Sequence, residues 1–231
     1  MRATRSAREA ETGICRGIVR LNVIRAVVRL AEGPRRRRCI GTCSPRVVRF
    51  LVRATVGFVS AHVIVLETER LVLRRLTLND APFIVELLNE PSFLRYIGDR
   101  GVKTLQDARH YLLKGPIASY AVLGFGLYLV FIKDTGDPIG ICGLLKRETL
   151  SDVDIGFALL PSFCRQGFAS EAAAAVLKHA RDDFGLKRVV AITSPDNGAS
   201  ARVLERIGLR FESLIRLADD PREVKLFGID F

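Results

Sequence analysis

The strongest constraint on the fold of this chain is an alternation of short apolar runs with amphipathic segments, which extends from Leu66 to the C-terminus. The runs over residues 71–76 and 188–194 are typical of β-strands. Residues 81–89, in contrast, carry apolar side chains at helical spacing. The predicted order of elements is β-α-α-β-β-β-α-β-α-β-β. It indicates an α/β domain with a mixed central sheet flanked by helices.

Caps and turn residues predict the remaining boundaries. Thr104 is a possible cap for a helix over residues 105–114, and Gly185 suits the end of a long alanine-rich helix that begins near Ala169 or Ser170. A last helix follows Asp196 or Asn197 and stops at Ile207-Gly208, and further strands are predicted over residues 127–133, 138–146, 153–160, 209–217 and 223–230.

The uncharged stretch over residues 115–132 is a candidate membrane span by length, but Pro116, Gly124 and Gly126 interrupt it. We therefore predict buried core there, with the preceding helix ending at Gly115-Pro116. The sequence carries no secretory signal of the usual form. These features predict a cytoplasmic protein that does not associate with membranes.

The excess positive charge is confined to the first quarter of the chain. Residues 1–62 contain fourteen arginines, no lysine and three acids, an excess of eleven that equals the net charge of the whole protein. Residues 63–231 carry equal numbers of cationic and acidic side chains. The main domain therefore has no global charge that would attract a polyanion, and a nucleic-acid partner is not expected.

Several interpretations of residues 1–62 remain open. Arginine without lysine is typical of translated upstream sequence, and Met1 is the only methionine, so the segment could reflect a misassigned start or a disordered extension. An organelle transit peptide and a basic arm for nucleic acid or anionic membrane are alternatives. Cys39 and Cys43 alone do not make a four-ligand metal site, so no metal is predicted. The expected domain is residues 63–231.

The junction over residues 165–171 joins a strand to a helix and has features of a phosphate site. The first N–H groups of a helix lack internal partners and carry partial positive charge. Gly167 lets the backbone approach a phosphate closely, Ala169 is also small, and Arg165 can add a charge-assisted contact. The alternative is an ordinary capped loop, since the motif lacks the lysine of a P-loop and the three glycines of a dinucleotide fingerprint.

A second signal lies at the start of the last predicted helix. Asn197 and Ser200 are three residues apart and share a face there. The alternative for both residues is capping, because Asn197 is a favourable N-cap.

These segments together resemble the GNAT superfamily of acyl-CoA-dependent N-acyltransferases, and within it the Rim-type ribosomal-protein N-terminal acetyltransferases. Residues 67–74, 154–159, 167–172 and 197–209 are similar, in that order, to the first strand, fourth strand, pyrophosphate loop and late helix of that subgroup. The resemblance implies a GNAT-like sheet that is mostly antiparallel, with one splayed parallel strand pair.

The resemblance also implies how acetyl-CoA binds. Its pantetheine arm is expected between the strand ending at Leu159 and the next parallel strand, bonded to the backbone of Ala158 and Leu159. The pyrophosphate is expected on the N–H groups of six successive residues: Arg165, Gln166, Gly167, Phe168, Ala169 and Ser170.

The mechanism that the resemblance implies is direct attack of a substrate amine on the thioester. The oxyanion is expected at an N–H near Phe157 or Ala158. Asp154 is the expected base, Ser200 the acid for the leaving thiolate, and Asn197 a group that holds the pantetheine. No covalent acyl carrier is expected.

Three functional hypotheses follow. The first is an N-acetyltransferase that acts on a protein N-terminus or a small amine, with specificity set by residues 79–125 and 209–231. The second is a non-catalytic acyl-CoA-binding regulatory module. The third is a nucleic-acid-associated protein that binds through the arginine-rich arm.

Overall fold

The computed structural model describes residues 63–218 and 220–231. The predictions for residues 1–62 therefore lie outside the described residues. The described strands are β1 Ile64–Glu67, β2 Leu71–Arg75, β3 Leu127–Ile132, β4 Pro138–Leu145, β5 Asp154–Leu159, β6 Arg188–Thr193, β7 Arg210–Leu217 and β8 Asp220–Asp230. The α-helices are α1 Ala81–Asn89, α2 Pro91–Tyr96, α3 Leu105–Leu112, α4 Ala118–Val122, α5 Phe168–Asp182 and α6 Gly198–Arg206. Short 3-10 turns occupy Leu78–Asp80 and Pro161–Phe163, and a π-helical turn occupies Leu113–Ile117.

The eight strands form one sheet in the order β1-β2-β3-β4-β5-β6-β8-β7. Neighbouring strands are antiparallel except for β5 and β6, which are parallel. The predicted fold class, a mostly antiparallel mixed sheet with one parallel pair, is confirmed.

The parallel pair is joined at one point only. Asp154 and Val190 are register partners, and the Val190 N–H donates to the Val153 carbonyl at 3.0 Å. On its other side β5 pairs with β4 through all six of its residues. The two parallel strands therefore diverge towards Leu159 and Thr193, which leaves an open edge on β5.

The two faces of the sheet bury separate apolar clusters. Ile155 belongs to the cluster that contains Ala172 and Val176 of α5. Ala158 packs against the other cluster, which contains Ile84 of α1 and Leu112 of α3. Successive strand side chains point to opposite faces, so the odd-numbered residues of β5 face α5 and the even-numbered residues face the early helices.

Three local features differ from the predictions. The strand β1 precedes the predicted first strand, because a short and half-exposed edge strand carries little periodic signal. The helix α2, for which no element was predicted, begins at Pro91, since a proline is tolerated in the first turn of a helix. The helix α3 is not ended by Pro116 but widens into the π-helical turn and continues as α4.

A buried ion pair holds β2 to the start of α1. The Arg74 guanidinium donates to both carboxylate oxygens of Asp80, at 2.8 and 2.6 Å, and lies over the Phe131 ring. Burial alone raises the pKa of Asp80, but hydrogen bonds from Arg74 and Thr77 outweigh it and hold that pKa below its ordinary value. The carboxylate therefore stabilises the fold above its ordinary pKa, and this stabilisation is lost as pH falls through the lowered value.

We expect Asp80→Asn to lower the free energy of unfolding by about 3 kcal/mol at pH 7, because it leaves a buried guanidinium without its counter-ion. Urea unfolding at pH 7 and at successively lower pH measures this loss, which should shrink as pH falls through the lowered pKa of Asp80. Glu67→Gln, in the more exposed pair with Lys133, is the control and should have little effect. Equal losses in both variants would contradict the prediction.

No helix among the described residues has the combination of length and apolar character that a membrane span requires.

Candidate active site

Hydrogen bonds at the two ends of β5 define which of its backbone groups face the open edge. Leu160 donates its N–H to Ile139, on the β4 side, whereas the Val153 carbonyl faces β6. Backbone groups alternate sides along a strand, so those of Phe157 and Leu159 face β6. In the described chain neither residue has a register partner on β6. These groups are free to bind a ligand in the cleft.

The same alternation corrects one sequence-based expectation. The backbone groups of Ala158 face β4, where its register partner is Ile141. A cofactor contact from Ala158 can therefore come only from its side chain. Strand phase also leaves the N–H of Phe157, and not that of Ala158, facing the cleft.

The loop before α5 contains two residues in left-handed conformation. Arg165 has a φ of 62° and Gly167, the N-cap of α5, has a φ of 86°. The first N–H of α5 with a helical partner is that of Glu171, which donates to Gly167 at 3.0 Å. The preceding N–H groups of Phe168, Ala169 and Ser170 lie before this bond, as expected at a helix start, and can bind an anion. Arg165 and Gln166 are exposed beside them.

A group of residues that the sequence analysis did not identify supports this loop. The Glu171 carboxylate accepts hydrogen bonds from the Thr68 hydroxyl at 2.5 Å and from the Arg70 backbone N–H at 2.9 Å. Arg70 Nε donates to the same carboxylate at 2.7 Å, and Arg70 Nη1 donates to the Gln166 carbonyl at 3.1 Å. Residues 67–74 and 167–172 both belong to the family pattern, and this was the one sequence signal that linked them. Their spacing along the chain does not reveal that Thr68 and Arg70 contact Glu171.

Asn197 and Ser200 lie together at the start of α6. The Asn197 side chain is the N-cap and accepts a hydrogen bond from the Ser200 backbone N–H at 3.1 Å. Both residues are half-buried. Across the part of the chain that the structure describes, neither the Ser200 hydroxyl nor the Asn197 side-chain N–H donates a hydrogen bond, so both polar groups are available to a ligand. Capping therefore accounts for the Asn197 oxygen but not for the Ser200 hydroxyl.

Asp154 is more enclosed than the sequence alone indicates. Its side chain is 1% exposed, one oxygen accepts from Arg147 Nε at 2.9 Å, and the other has no partner among the described residues. Burial raises the pKa of Asp154 despite the nearby Arg147 guanidinium. A carboxylate so placed can take a proton from a substrate in the cleft only through intervening water.

The parallel direction of β5 and β6 brings the starts of α5 and α6 to one edge of the sheet, whereas Asp154 lies at the opposite end of β5. Parallel strands present their carboxyl ends at the same edge, so the loop after β5, leading to α5, and the loop after β6, leading to α6, both begin there. Asp154 lies at the joined end of the pair, on the face of the early helices, about 10 Å along the strand from Phe157.

The two described cysteines differ in environment. Burial raises the pKa of the Cys142 thiol to about 12, which keeps it protonated and unreactive. Cys164 is exposed in the loop before α5, and its thiol lies 3.7 Å from the Leu160 carbonyl. Across residues 63–218 and 220–231, no cluster of three or more His, Cys, Asp or Glu side chains has the arrangement of a metal site.

Comparison with known proteins gives consistent results. The profile of the acetyltransferase (GNAT) domain matches residues 70–210. The chain is 29% identical over 153 residues to the uncharacterized N-acetyltransferase YoaA of Bacillus subtilis, a match that covers 66% of this chain and 86% of YoaA. Among solved structures, an acetyltransferase from Agrobacterium tumefaciens is 28% identical with a TM-score of 0.62, covering 72% of this chain and 94% of that one.

A further solved structure shares the fold at lower identity. The ribosomal L7/L12 alpha-N-protein acetyltransferase RimL, in complex with coenzyme A, is 22% identical with a TM-score of 0.62, and the match covers 73% of this chain and 98% of RimL. The family profile spans more than half of the chain, and the divergent strand pair and the helix start that it implies are present. The chain therefore belongs to the acetyltransferase (GNAT) family.

Proposed function

We propose that this protein transfers an acetyl group from acetyl-CoA to a primary amine, on a protein N-terminus or a small molecule. The observation that carries the proposal is the cleft between β5 and β6. There the backbone groups of Phe157 and Leu159, which have no register partner on β6, lie beside the starts of α5 and α6. Two proteins of the same fold, RimL and the microcin C7 self-immunity acetyltransferase MccE, are described in complex with coenzyme A and acetyl-CoA, respectively.

The proposed donor site uses backbone groups more than side chains. The pantetheine arm lies along the open edge of β5 and completes the sheet hydrogen bonds that β6 leaves unmade at Leu159. The pyrophosphate binds the N–H groups of the first turn of α5, and Gly167 leaves room for its approach. Arg165 and Gln166 are exposed and can add contacts to phosphate oxygens. Asn197 offers its side-chain N–H to the pantetheine.

The proposed chemistry is direct attack of a neutral amine on the thioester carbonyl. The new C–N bond forms as the carbonyl becomes an oxyanion, which the Phe157 N–H stabilises. The C–S bond then breaks, and the Ser200 hydroxyl gives its proton to the leaving thiolate, later recovering one from solvent. The amine loses its proton through water to Asp154, whose raised pKa makes it a better acceptor than an ordinary carboxylate.

The acceptor site is proposed on the face of the early helices. The segment that ends α2 contacts the loop after β6 through an Arg95–Asp196 ion pair at 2.9 Å and a hydrogen bond from the Ser194 hydroxyl to the Tyr96 carbonyl at 3.1 Å. These contacts support a role for residues 79–125, the first of the two segments expected to select the acceptor. The second, residues 209–231, includes β8, which pairs with β6. The Rim-type resemblance favours a peptide amine over a small amine.

The test is calorimetric titration of acetyl-CoA into the full chain, followed by measurement of CoA release with peptide and small-amine acceptors. We expect micromolar binding, in line with enzyme KM values, which typically lie between about 1 μM and 1 mM. Release of CoA that depends on an added amine would support the transferase. Tight binding without turnover on any acceptor would favour the non-catalytic acyl-CoA-binding module instead, and absence of binding would contradict both.

A further inference from the structure

The contact between the β1–β2 turn and the first turn of α5 joins residues about one hundred positions apart in the chain. Four donor contacts converge on the Glu171 carboxylate: the Thr68 hydroxyl, the Arg70 backbone N–H, and the Nε and Nη2 atoms of Arg70, the last two at 2.7 Å each. Hydrogen bonds from Thr68 and Arg70 outweigh the effect of burial and hold the pKa of Glu171 below its ordinary value. The carboxylate therefore anchors Arg70 in one orientation.

The anchored guanidinium reaches the loop that precedes α5. Its Nη1 donates to the Gln166 carbonyl, and its Cζ lies 4.4 Å from the centre of the Phe168 ring. Its Nη2 would be 3.3 Å from a Cβ placed on Gly167. One side chain thus contacts Gln166 and Phe168 and lies beside Gly167 between them.

This loop needs external support because of its backbone conformation. Arg165 is a non-glycine residue in left-handed conformation, which costs about 1–3 kcal/mol and persists only where the surroundings enforce it. In a trans peptide the C=O and N–H point in opposite directions. The Gln166 carbonyl is bonded to Arg70, so the Gly167 N–H of the same peptide points away from Arg70. The hydrogen bond also keeps this peptide from rotating.

Charge gives Arg70 a second role at the same place. A carboxylate in the first turn of α5 would repel the diphosphate of acetyl-CoA if it were unpaired. With Arg70 bonded to it, the local charge is balanced, and the partial positive charge of the helix start remains available.

We propose that Arg70, anchored by Glu171, is a positioning residue that holds the pyrophosphate-binding loop in the conformation that receives acetyl-CoA. This inference rests on the proposed function. It assigns to the β1–β2 turn a role in donor binding, although this turn belongs to neither of the strands that form the cleft.

The experiment compares the affinities of the full chain for CoA and for pantetheine, which lacks the diphosphate. In Arg70→Ala we expect the Kd for CoA to rise about tenfold, equivalent to the loss of one charge-assisted hydrogen bond, while the Kd for pantetheine stays unchanged. Lys133→Ala is the matched control, because the Lys133 side chain pairs with Glu67 of β1 at 3.1 Å and has no described contact with the loop before α5. Its backbone N–H, which donates to the Arg70 carbonyl at 2.9 Å, is retained in the variant.

Two conservative variants separate positioning from folding. Arg70→Lys keeps the charge and the aliphatic stem but loses the planar fork, so it should bind CoA more weakly than wild type while unfolding at a similar temperature. Glu171→Gln keeps an oxygen that accepts from Thr68 and the Arg70 N–H. Its loss of CoA affinity should therefore be smaller than that of Arg70→Ala.

The outcomes are distinct. Wild-type CoA affinity in both Arg70 variants, or an equal weakening of CoA and pantetheine, would overturn the positioning role and leave the proposed function standing. A wild-type chain that binds pantetheine but gains no affinity from the diphosphate would overturn the positioning role too. A wild-type chain that binds neither ligand would overturn the proposed function together with this inference.

Discussion

Gly167→Val is expected to weaken acetyl-CoA binding by about 100-fold or more, equivalent to the loss of about two hydrogen bonds to the charged diphosphate at about 1.5 kcal/mol each. Gly167 is the N-cap of α5 at a φ of 86°, where a β-branched residue is strongly disfavoured. Its Cβ would also press on Arg70 Nη2. The loop must then move, and the N–H groups at the start of α5 move with it. Calorimetric titration of acetyl-CoA measures the change.

Gly185→Val is the matched control at the other end of the same helix. Gly185 has a φ of 62°, and a Cβ there would meet nothing within 4 Å. Both variants place valine in left-handed backbone, which costs about 1–2 kcal/mol of stability. Only Gly167→Val should also lose affinity for acetyl-CoA. Equal binding losses would indicate general destabilisation, and unchanged binding in Gly167→Val would place the pyrophosphate elsewhere.

Ser200→Ala combined with Asp154→Asn is expected to abolish turnover without changing the Kd for acetyl-CoA. Each proton-transfer group contributes about 10²–10⁴-fold to a rate, and the two act on different protons of the reaction. Ser200→Ala leaves the backbone N–H that donates to Asn197, so the cap of α6 is retained. The rate of CoA release, measured in the steady state, reports the effect on turnover. Calorimetric titration of acetyl-CoA reports the effect on affinity.

The single variants have different pH signatures. Asp154 is competent as a base only when ionised, and burial raises its pKa, so kcat/KM of the wild type should fall as pH decreases through that raised value. Asp154→Asn should remove this acid limb, whereas Ser200→Ala should lower kcat across the whole range. Lys178→Ala, on the exposed side of α5 and outside the segments expected to select the acceptor, is the control and should behave as wild type. Full turnover in the double variant would reject both assignments.

Local sequence signals predicted many element boundaries correctly. The helix over residues 81–89 is found as α1 at those limits, and Thr104 and Asn197 cap α3 and α6. Caps, apolar periodicity and turn glycines act within a few residues of the chain, so they can be read before the tertiary structure is known. The start of α5 was placed one or two residues late, because Gly167 rather than a polar side chain occupies the N-cap.

Other features of the site depended on contacts between distant segments. The phase of β5, which turns the backbone of Phe157 and Leu159 to the cleft and that of Ala158 to β4, is set by pairing with β4. The enclosure of Asp154 beside Arg147 depends on packing of the sheet against the early helices. Neither could be predicted from residue spacing.

Periodicity along the sequence determined the α/β fold class, and the resemblance carried by its ordered motifs indicated the acetyltransferase family. Capping located the start of α6 and brought that of α5 to within one or two residues. Tertiary structure alone decided which backbone groups are free and which side chains support them. Thr68 and Arg70 meet Glu171 across about one hundred residues of chain. Such contacts arise from strand register and packing, since a shift of one residue in pairing would exchange every inward and outward group.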